Sequence, residues 1–346
     1  MLLHSQRGRQ VIIVLCLVGL MSRQYLVRAD AVRCTRPASP QNAVKRVQMD
    51  PGTTDYRWLS AQEALFFRRQ NDDEPLKRTL VRHNIITGKE KPLPELMARF
   101  GDGPGNFENA KVSGDGKWII WDGPRAKGDF GSILSSTNGI AGKLPELLSK
   151  LSVDDIYWIG SSHRLLALDH SGGKKIRANI FDLDKPAAPR KVVIPPGFAL
   201  PSNSFGESHI TVTDTDDFVF SDWDAEAGEV TPAVRIVRLR LAATPGAPHT
   251  YRVLMPAQAR LYQIALSPTG EKIVWELSFI HKSGKPTVEL WLSGKDGSAM
   301  HSIERIPIQP DDPPDIILKS QHIHWTPDEK QVSFVYDYTL WTIPAK

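Results

Sequence analysis

One pattern constrains this chain more than any other: a six-fold recurrence with a period of about 50 residues. Six small residues mark it, Ser60, Ser113, Gly160, Thr213, Ser267 and Thr326, separated by steps of 53, 47, 53, 54 and 59. A large apolar side chain precedes each one: Leu59, Val112, Ile159, Val212, Leu266 and Trp325. Two positions before those stand Ala110, Tyr157, Ile210, Ile264 and Ile323, and only Arg57 departs. Alternation at period two is the signature of a half-buried strand.

Turn chemistry follows each small residue, as in Gly114-Asp115-Gly116, Ser161-Ser162, Asp214-Thr215-Asp216, Pro268-Thr269-Gly270 and Pro327-Asp328-Glu329. Gly relieves positive φ, Pro presets φ, and Asp and Ser bond the nearby backbone. Second strands are then predicted at 64–67, 118–121, 165–168, 218–220, 273–275 and 332–334, and third strands at 132–134, 176–181, 234–241, 288–292 and 339–343. Fourth strands are predicted at 91–96, 142–147, 191–195, 251–255 and 302–308, and the first two, Lys91-Pro92-Leu93-Pro94-Glu95-Leu96 and Lys143-Leu144-Pro145-Glu146-Leu147, resemble each other directly. Four strands in a unit of about 50 residues make a propeller blade. The expected fold is all-β, a six-bladed β-propeller with blades near 54–97, 108–148, 155–196, 207–256, 261–308 and 321–346. The last blade lacks a fourth strand of its own, and residues 43–49 are expected to complete it and close the ring.

The N-terminus reads as a signal peptide over residues 1–31. Arg7 and Arg9 form a basic region, Val11 to Met21 an apolar run, and Ala29-Asp30-Ala31 an A-x-A site. The apolar run is shorter than the roughly 20 residues of a spanning helix. Arg33 before Cys34 does not fit a lipobox. The expectation is therefore one domain over 32–346, exported to the periplasm or outside the cell, monomeric and not integral to a membrane. The whole chain has 43 basic and 39 acidic residues, but four arginines fall in the leader. The mature charge is close to balance, which gives no case for a nucleic-acid partner. Cys34 alone follows the leader, so the mature fold relies on its core.

The segment Ser267-Pro268-Thr269-Gly270-Glu271-Lys272-Ile273-Val274-Trp275, followed by Glu289-Leu290-Trp291-Leu292 and Lys295-Asp296-Gly297-Ser298, resembles the repeat of TolB-type, WD40-like propellers. His324 to Lys330 and Val112 to Lys117 resemble it too. The resemblance implies a propeller in an exported setting. TolB proteins carry a further α/β domain before the propeller, for which this chain has no room. The segment Phe100 to Phe107 is similar to NHL propellers and occurs once.

No nucleophile elbow, P-loop, H-E-x-x-H or paired C-x-x-C occurs. His322-x-His324 would set two imidazoles on one side of a strand, a pattern that suits a metal or a packed histidine pair. His209 falls at the repeat position of His322, and Tyr56, Asn109 and Gln263 fall there in other blades, together with Ile156. Strand starts lie near the central channel, so Tyr56, Asn109, His209, Gln263, His322 and His324 are candidate ligand-binding residues at its mouth. The acids Asp214, Asp216, Asp217, Asp222, Asp224 and Glu226 lack EF-hand spacing and read as a solvated hairpin. Eight tryptophans read as core between blades, whereas Trp223, flanked by Asp222 and Asp224, is a candidate partner anchor. No catalytic residue, metal ligand or cofactor is assigned.

Two function classes remain. The first is an exported, non-catalytic propeller that binds a protein, peptide or glycan. The second is a propeller hydrolase or lyase with a channel-mouth site using His209, His322 or His324. Propeller enzymes gather single residues from several blades and so leave no local motif.

Overall fold

Six small antiparallel sheets are arranged as a six-bladed β-propeller. The computed structural model describes residues 39–50, 55–69, 78–100, 107, 109–124, 130–169, 176–185, 188–195, 209–223, 233–244, 246–280, 286–306 and 321–346. The leader and Cys34 lie outside these residues.

Each of the first five sheets is a meander whose strands pair in chain order. Blade 1 runs through Tyr56–Trp58, Glu63–Arg69, Arg78–Asn84 and Glu90–Pro92. Blade 2 has three strands, Lys111–Val112, Trp118–Pro124 and Phe130–Ser136. Blade 3 comprises Ile156–Trp158, Arg164–Asp169, Arg177–Asp182 and Arg190–Val192, and blade 4 Ile210–Val212, Asp217–Trp223, Ala233–Arg240 and His249–Leu254. Blade 5 comprises Ala259–Leu266, Lys272–Ile280, Pro286–Gly294 and His301–Ile306. Blade 6 joins Gln321–Trp325, Gln331–Tyr336 and Thr339–Pro344 to an outer strand from the other end of the chain, Val44–Gln48.

The aligned small residue owes its identity to a hydrogen-bonding task. Ser113 Oγ accepts the N–H of Trp118 at 3.0 Å and donates to Asp115 at 2.7 Å. Thr326 Oγ1 accepts the N–H of Gln331 at 3.1 Å and donates to Asp328 at 2.7 Å. Ser267 and Thr213 accept the N–H groups of Lys272 and Asp217 at 3.2 and 3.1 Å. All four residues are buried, where a polar group without a partner is costly. The turn beyond is the same in these blades, with the carbonyls of Ser113, Thr213, Ser267 and Thr326 each accepting from the residue three further on. That residue has positive φ: 71° at Gly116, 59° at Asp216, 69° at Gly270 and 56° at Glu329. A type I turn followed by a left-handed residue is a common hairpin connection, and Gly meets it without strain.

The strand register follows the repeat. Leu59, Ile159, Val212, Leu266 and Trp325 are buried, and Ile159 is wholly so. Val112 is only half-buried, against expectation; it packs against the apolar cluster of blades 1 and 2 and also lines the central cavity. Indole N–H groups tie neighbouring blades: Trp58 donates to Ser333 Oγ at 2.8 Å, Trp158 to the Lys111 carbonyl and Trp325 to the Ala265 carbonyl, both at 2.9 Å. These three tryptophans, with Trp121 and Trp275, are buried in the core.

Two predicted fourth strands are corrected. In blade 1 only Glu90–Pro92 is strand, and Pro94–Phe100 is a short helix that buries Leu96 and Phe100. In blade 2 a single bridge, Ser135 to Ala141, replaces the strand, and Glu146–Ser149 forms a helical turn that buries Leu148. The shared Pro-Glu-Leu therefore marks helix starts, where Pro's fixed φ and missing N–H are tolerated. Both helices lie beside the outer part of their blades and cover apolar side chains there.

The outer strand of blade 6 pairs Val44 with Thr342 and Gln48 with Thr339, with a register shift between Lys45 and Val47. That shift buries Val47 while Val44 is exposed, which explains the imperfect alternation of this segment. Arg46 Nε donates to Thr342 Oγ1 at 2.7 Å. Upstream, the buried Glu304 of blade 5 accepts the backbone N–H groups of Gln41 and Asn42 at 3.0 and 2.7 Å. Among the described residues no helix is long and apolar enough to cross a membrane.

Candidate functional site

The inner strands of all six blades line two cavities that meet along the ring axis. The upper cavity, about 640 Å³, opens among the turns that follow the aligned small residues, including Gly114, Ser161, Thr215, Thr269 and Asp328. The lower cavity, about 520 Å³, is lined by the strand starts, including Asn109, Asp154, Tyr157, His209 and Thr211. Arg57, Val112, Gly114, Gly160, Pro268, His324 and Trp325 line both and mark the waist between them.

The upper rim is held by contacts between blades. Asp214 of blade 4 accepts the backbone N–H and the hydroxyl of Ser161 of blade 3, at 2.8 and 3.1 Å. Glu329 of blade 6 accepts the N–H of Thr269 of blade 5. Arg238 of blade 4 lies 2.7 Å from Glu271 of blade 5 and 3.0 Å from its own blade's Asp217. His163 of blade 3 lies 2.7 Å from Asp115 of blade 2 through Nε2 and 2.9 Å from Asp184 through Nδ1. Burial opposes charge on His163, but its hydrogen bonds to Asp184 and Asp115 prevail and raise its pKa. Burial likewise opposes ionisation of Asp115, yet hydrogen bonds from Ser113, His163 and Lys117 bring its carboxyl down to about 2. Two carboxylates on the two ring nitrogens suit the imidazolium, which alone donates from both.

The candidate residues separate into distinct surroundings. Asn109, His209 and His324 line the lower cavity, and His324 reaches the waist. Tyr56 is fully buried at the boundary of blades 1 and 6. Its hydroxyl lies 2.7 Å from the His322 carbonyl and 2.8 Å from Ser333 Oγ, and its ring stands edge-on to His324 at 5.1 Å. Burial pushes the Tyr56 phenol well above its ordinary pKa. Gln263 sits opposite the buried Glu276 next to a register shift and does not line either cavity.

The two-histidine reading of blade 6 is corrected by the backbone. His322 has φ 55°, and the pairing register shifts between Gln321 and His324. The simple alternation that would put both imidazoles on one side is broken there. His322 Nδ1 lies 3.2 Å from Asp55, whereas His324 packs against Tyr56 and lines the waist. Burial first, then the charges of Arg57 and His322, hold the His324 pKa well below its ordinary value, so its imidazole is neutral. Among the described residues no three His, Cys, Asp or Glu side chains are gathered as metal ligands would be. The backbone of Trp223 ends a strand in blade 4, and its side chain lies outside the described residues, as do Asp224 and Glu226.

Arg57 is the cavity-lining residue that the repeat pattern flagged only as an exception. Its Nε donates to the Ala110 carbonyl at 2.6 Å and its Nη1 to the Tyr56 carbonyl at 2.9 Å. Its guanidinium lies 5.5 Å from the Phe107 ring centroid. The signal was a cation at a position that is apolar in the other five blades.

This architecture defines a β-propeller built around an axial cavity. No protein-family model matches the sequence, and no curated protein sequence matches it. Among solved structures, it is similar to a protein of Agrobacterium tumefaciens described as a TolB, at 13% identity over 78% of this chain and 91% of that one, with a TM-score of 0.41. A TolB from Acinetobacter baumannii aligns at 10% identity over 74% of this chain and 54% of that one, TM-score 0.40. Dipeptidyl peptidase 4 of Porphyromonas gingivalis aligns at 12% identity over 88% of this chain and 46% of that one, TM-score 0.36. The chain spans about half the length of these last two proteins.

Proposed function

We propose that this protein is an exported, non-catalytic propeller that binds a protein or peptide partner at the upper mouth of its axial cavity. The observation that carries this reading is the construction of that mouth. Turns from five blades present exposed side chains around a cavity of about 640 Å³, and blade-to-blade hydrogen bonds fix them in place. A rim held in this way loses little conformational entropy when a partner docks, which favours binding. Propellers present such ring faces as broad platforms, and a peptide segment fits the mouth better than a flat protein surface does.

The test places a photo-crosslinking amino acid at Thr215 or Thr269 on the mouth, and at Leu254 on an outer strand as control. The same adduct from both mouth positions, absent from the control, is the expected result. Adducts from Leu254 alone overturn the reading. Export is checked separately by N-terminal sequencing of the fractionated protein, with a mature start near Asp30 or Val32 expected and retention of Met1 counting against it. The hydrolase or lyase alternative has a weaker basis, since His322 faces Asp55 while His209 and His324 line the cavity.

A further inference from the structure

The turns that follow the third strands of blades 1 and 2 share one signature, Ile86-Thr87-Gly88-Lys89 and Ile140-Ala141-Gly142-Lys143. The corresponding turns of blades 3, 4 and 5 contain Leu183-Asp184-Lys185, Ala242-Ala243-Thr244 and Lys295-Asp296-Gly297, without isoleucine. Ile140 is 68% exposed and Ile86 63%, more than any other large apolar side chain among the described residues. One exposed isoleucine needs no explanation, but the same presentation by two neighbouring blades does. We propose that these two turns dock the protein on an anionic lipid surface, the isoleucines entering the apolar boundary and the lysines meeting the headgroups.

Both turns lie on the side of the ring that carries the upper mouth. In blade 1 the Ile85 N–H donates to the Gln62 carbonyl, in the turn after the aligned Ser60, at 2.9 Å. In blade 2 Thr137 donates through Oγ1 to the Gly116 carbonyl at 2.9 Å and through N–H to the Lys117 carbonyl at 2.8 Å. The blade 2 turn is also braced against blade 1. Arg82 Nη2 donates to Asn138 Oδ1 at 3.1 Å, and Arg99 Nε to the Gly139 carbonyl at 2.5 Å.

The charge around the isoleucines fits the same partner. Lys89, Lys91 and Lys143 are exposed. Of the acids within residues 85–100 and 137–150, Glu90 is held by Arg68 and His83, and Glu146 by Lys150. That leaves Glu95 against the three lysines and Arg99. Lys117 beside them sits on Asp115. The acids of the mouth, Asp214, Glu271, Asp328 and Glu329, belong to blades 4, 5 and 6, with Arg238 and Lys295 on Glu271. The edge formed by blades 1 and 2 therefore turns toward an anionic surface more readily than the opposite edge does. A stable protein interface buries about 1,600 Å² in one patch, whereas these isoleucines stand on separate turns with the exposed strand Glu90–Pro92 between them. A bilayer accepts each side chain singly, and cations flanking inserted apolar residues are the pattern of interfacial binding. The proposal is independent of what occupies the mouth.

The test uses the full chain with an environment-sensitive fluorescent amino acid at Thr87, at Ala141 or, as control, at Tyr338. Tyr338 is exposed in the turn between the second and third strands of blade 6, on the other side of the ring. Vesicles with brominated acyl chains are made of phosphatidylcholine alone or of equal parts phosphatidylcholine and phosphatidylglycerol. The anionic vesicles are expected to quench Thr87 and Ala141 but not Tyr338, and the neutral ones to quench little. With the probe at Ala141, Ile86→Ser plus Ile140→Ser should weaken the quenching titration at least about tenfold through lost insertion. Lys89→Gln, Lys91→Gln and Lys143→Gln together should weaken it at least as much, since each lysine near an anionic surface gives about fivefold. All five side chains stand in solvent, so both variants should unfold at the parent's midpoint. Absence of quenching at Thr87 and Ala141, equal quenching at Tyr338, equal quenching by the two vesicle types, or titrations unchanged in both variants overturns the proposal. Photo-crosslinkers at Thr87 and Ala141 that capture a protein, with no lipid quenching there, assign the face to that protein and overturn it as well.

Discussion

Glu329 of blade 6 reaches across the blade boundary to Thr269 of blade 5, accepting its backbone N–H with one oxygen and its hydroxyl with the other, the latter at 3.0 Å. Glu329 also holds the left-handed position of its turn, at φ 56°. Two of the four matching turns use glycine there, and the other two use an acid that bridges blades, Glu329 and Asp216. Asp216 lies 2.8 Å from Arg164 of blade 3. The strain of a left-handed carboxylic residue is offset by the contact it makes with its neighbour.

Glu329→Ala removes both bonds and retains the strain, so it should destabilise by about 1–3 kcal/mol. Glu329→Gly loses the same bonds but sheds the strain, and should be less damaging by about 1 kcal/mol. Urea unfolding midpoints of the two variants give the comparison, and an alanine variant at least as stable as the glycine one would contradict the account.

Thr326→Val keeps the shape of a fully buried side chain while deleting the hydroxyl that serves Gln331 and Asp328. The expected cost is about 1–3 kcal/mol, with Thr326→Ser close to the parent. Equal stability of the valine and serine variants in thermal unfolding would remove the hydroxyl from its assigned place in the repeat.

The His163 bridge predicts a pH dependence with a definite sign. Its folded pKa is raised, so its contribution is complete below the unfolded value of about 6.5 and is lost as pH climbs through the folded value. His163→Gln should thus cost most near pH 5–6, about 1 kcal/mol after allowance for partial exposure, and least at pH 9. Asp115 acts oppositely, since its pKa lies at about 2 and its contribution fades only in strong acid. Unfolding curves at several pH values decide the matter, and a parallel offset between parent and variant from pH 5 to 9 counts against the bridge.

Deleting the chain through residue 49 strips the outer strand of blade 6 together with the contacts of Gln41 and Asn42 to Glu304. The expected result is a lower unfolding midpoint for the whole ring, because the deletion exposes the edge of Thr339–Pro344. An unchanged midpoint would reduce residues 43–49 to a linker.

The blade register was legible because four of the six turns impose a local chemical rule, a buried hydroxyl followed by a left-handed position three residues on. The first and third turns depart from that rule: Gly160 has no hydroxyl, and Ser60 Oγ serves Gln62 instead. The outer strands of blades 1 and 2 were misread because Lys-Pro-Leu-Pro-Glu-Leu and Lys-Leu-Pro-Glu-Leu offer apolar residues at a spacing that either strand or helix satisfies. Alternation was a poor guide to His322, where one residue with positive φ redirects the strand. Arg57 was visible as an exception in the pattern, but its placement at the waist depends on blades that lie far apart in sequence.

The outer strand of blade 6 also sets a timetable. Arg46 and Thr342 bond across 296 positions of the chain. Each of blades 1 to 5 is assembled from neighbouring hairpins that can form as soon as they emerge, whereas blade 6 must wait for the last of its strands. During that wait Val44–Gln48 has been made and has nowhere to pair. Its partner strand, Thr339–Pro344, is made last, so this pairing cannot form before synthesis of the chain is almost finished.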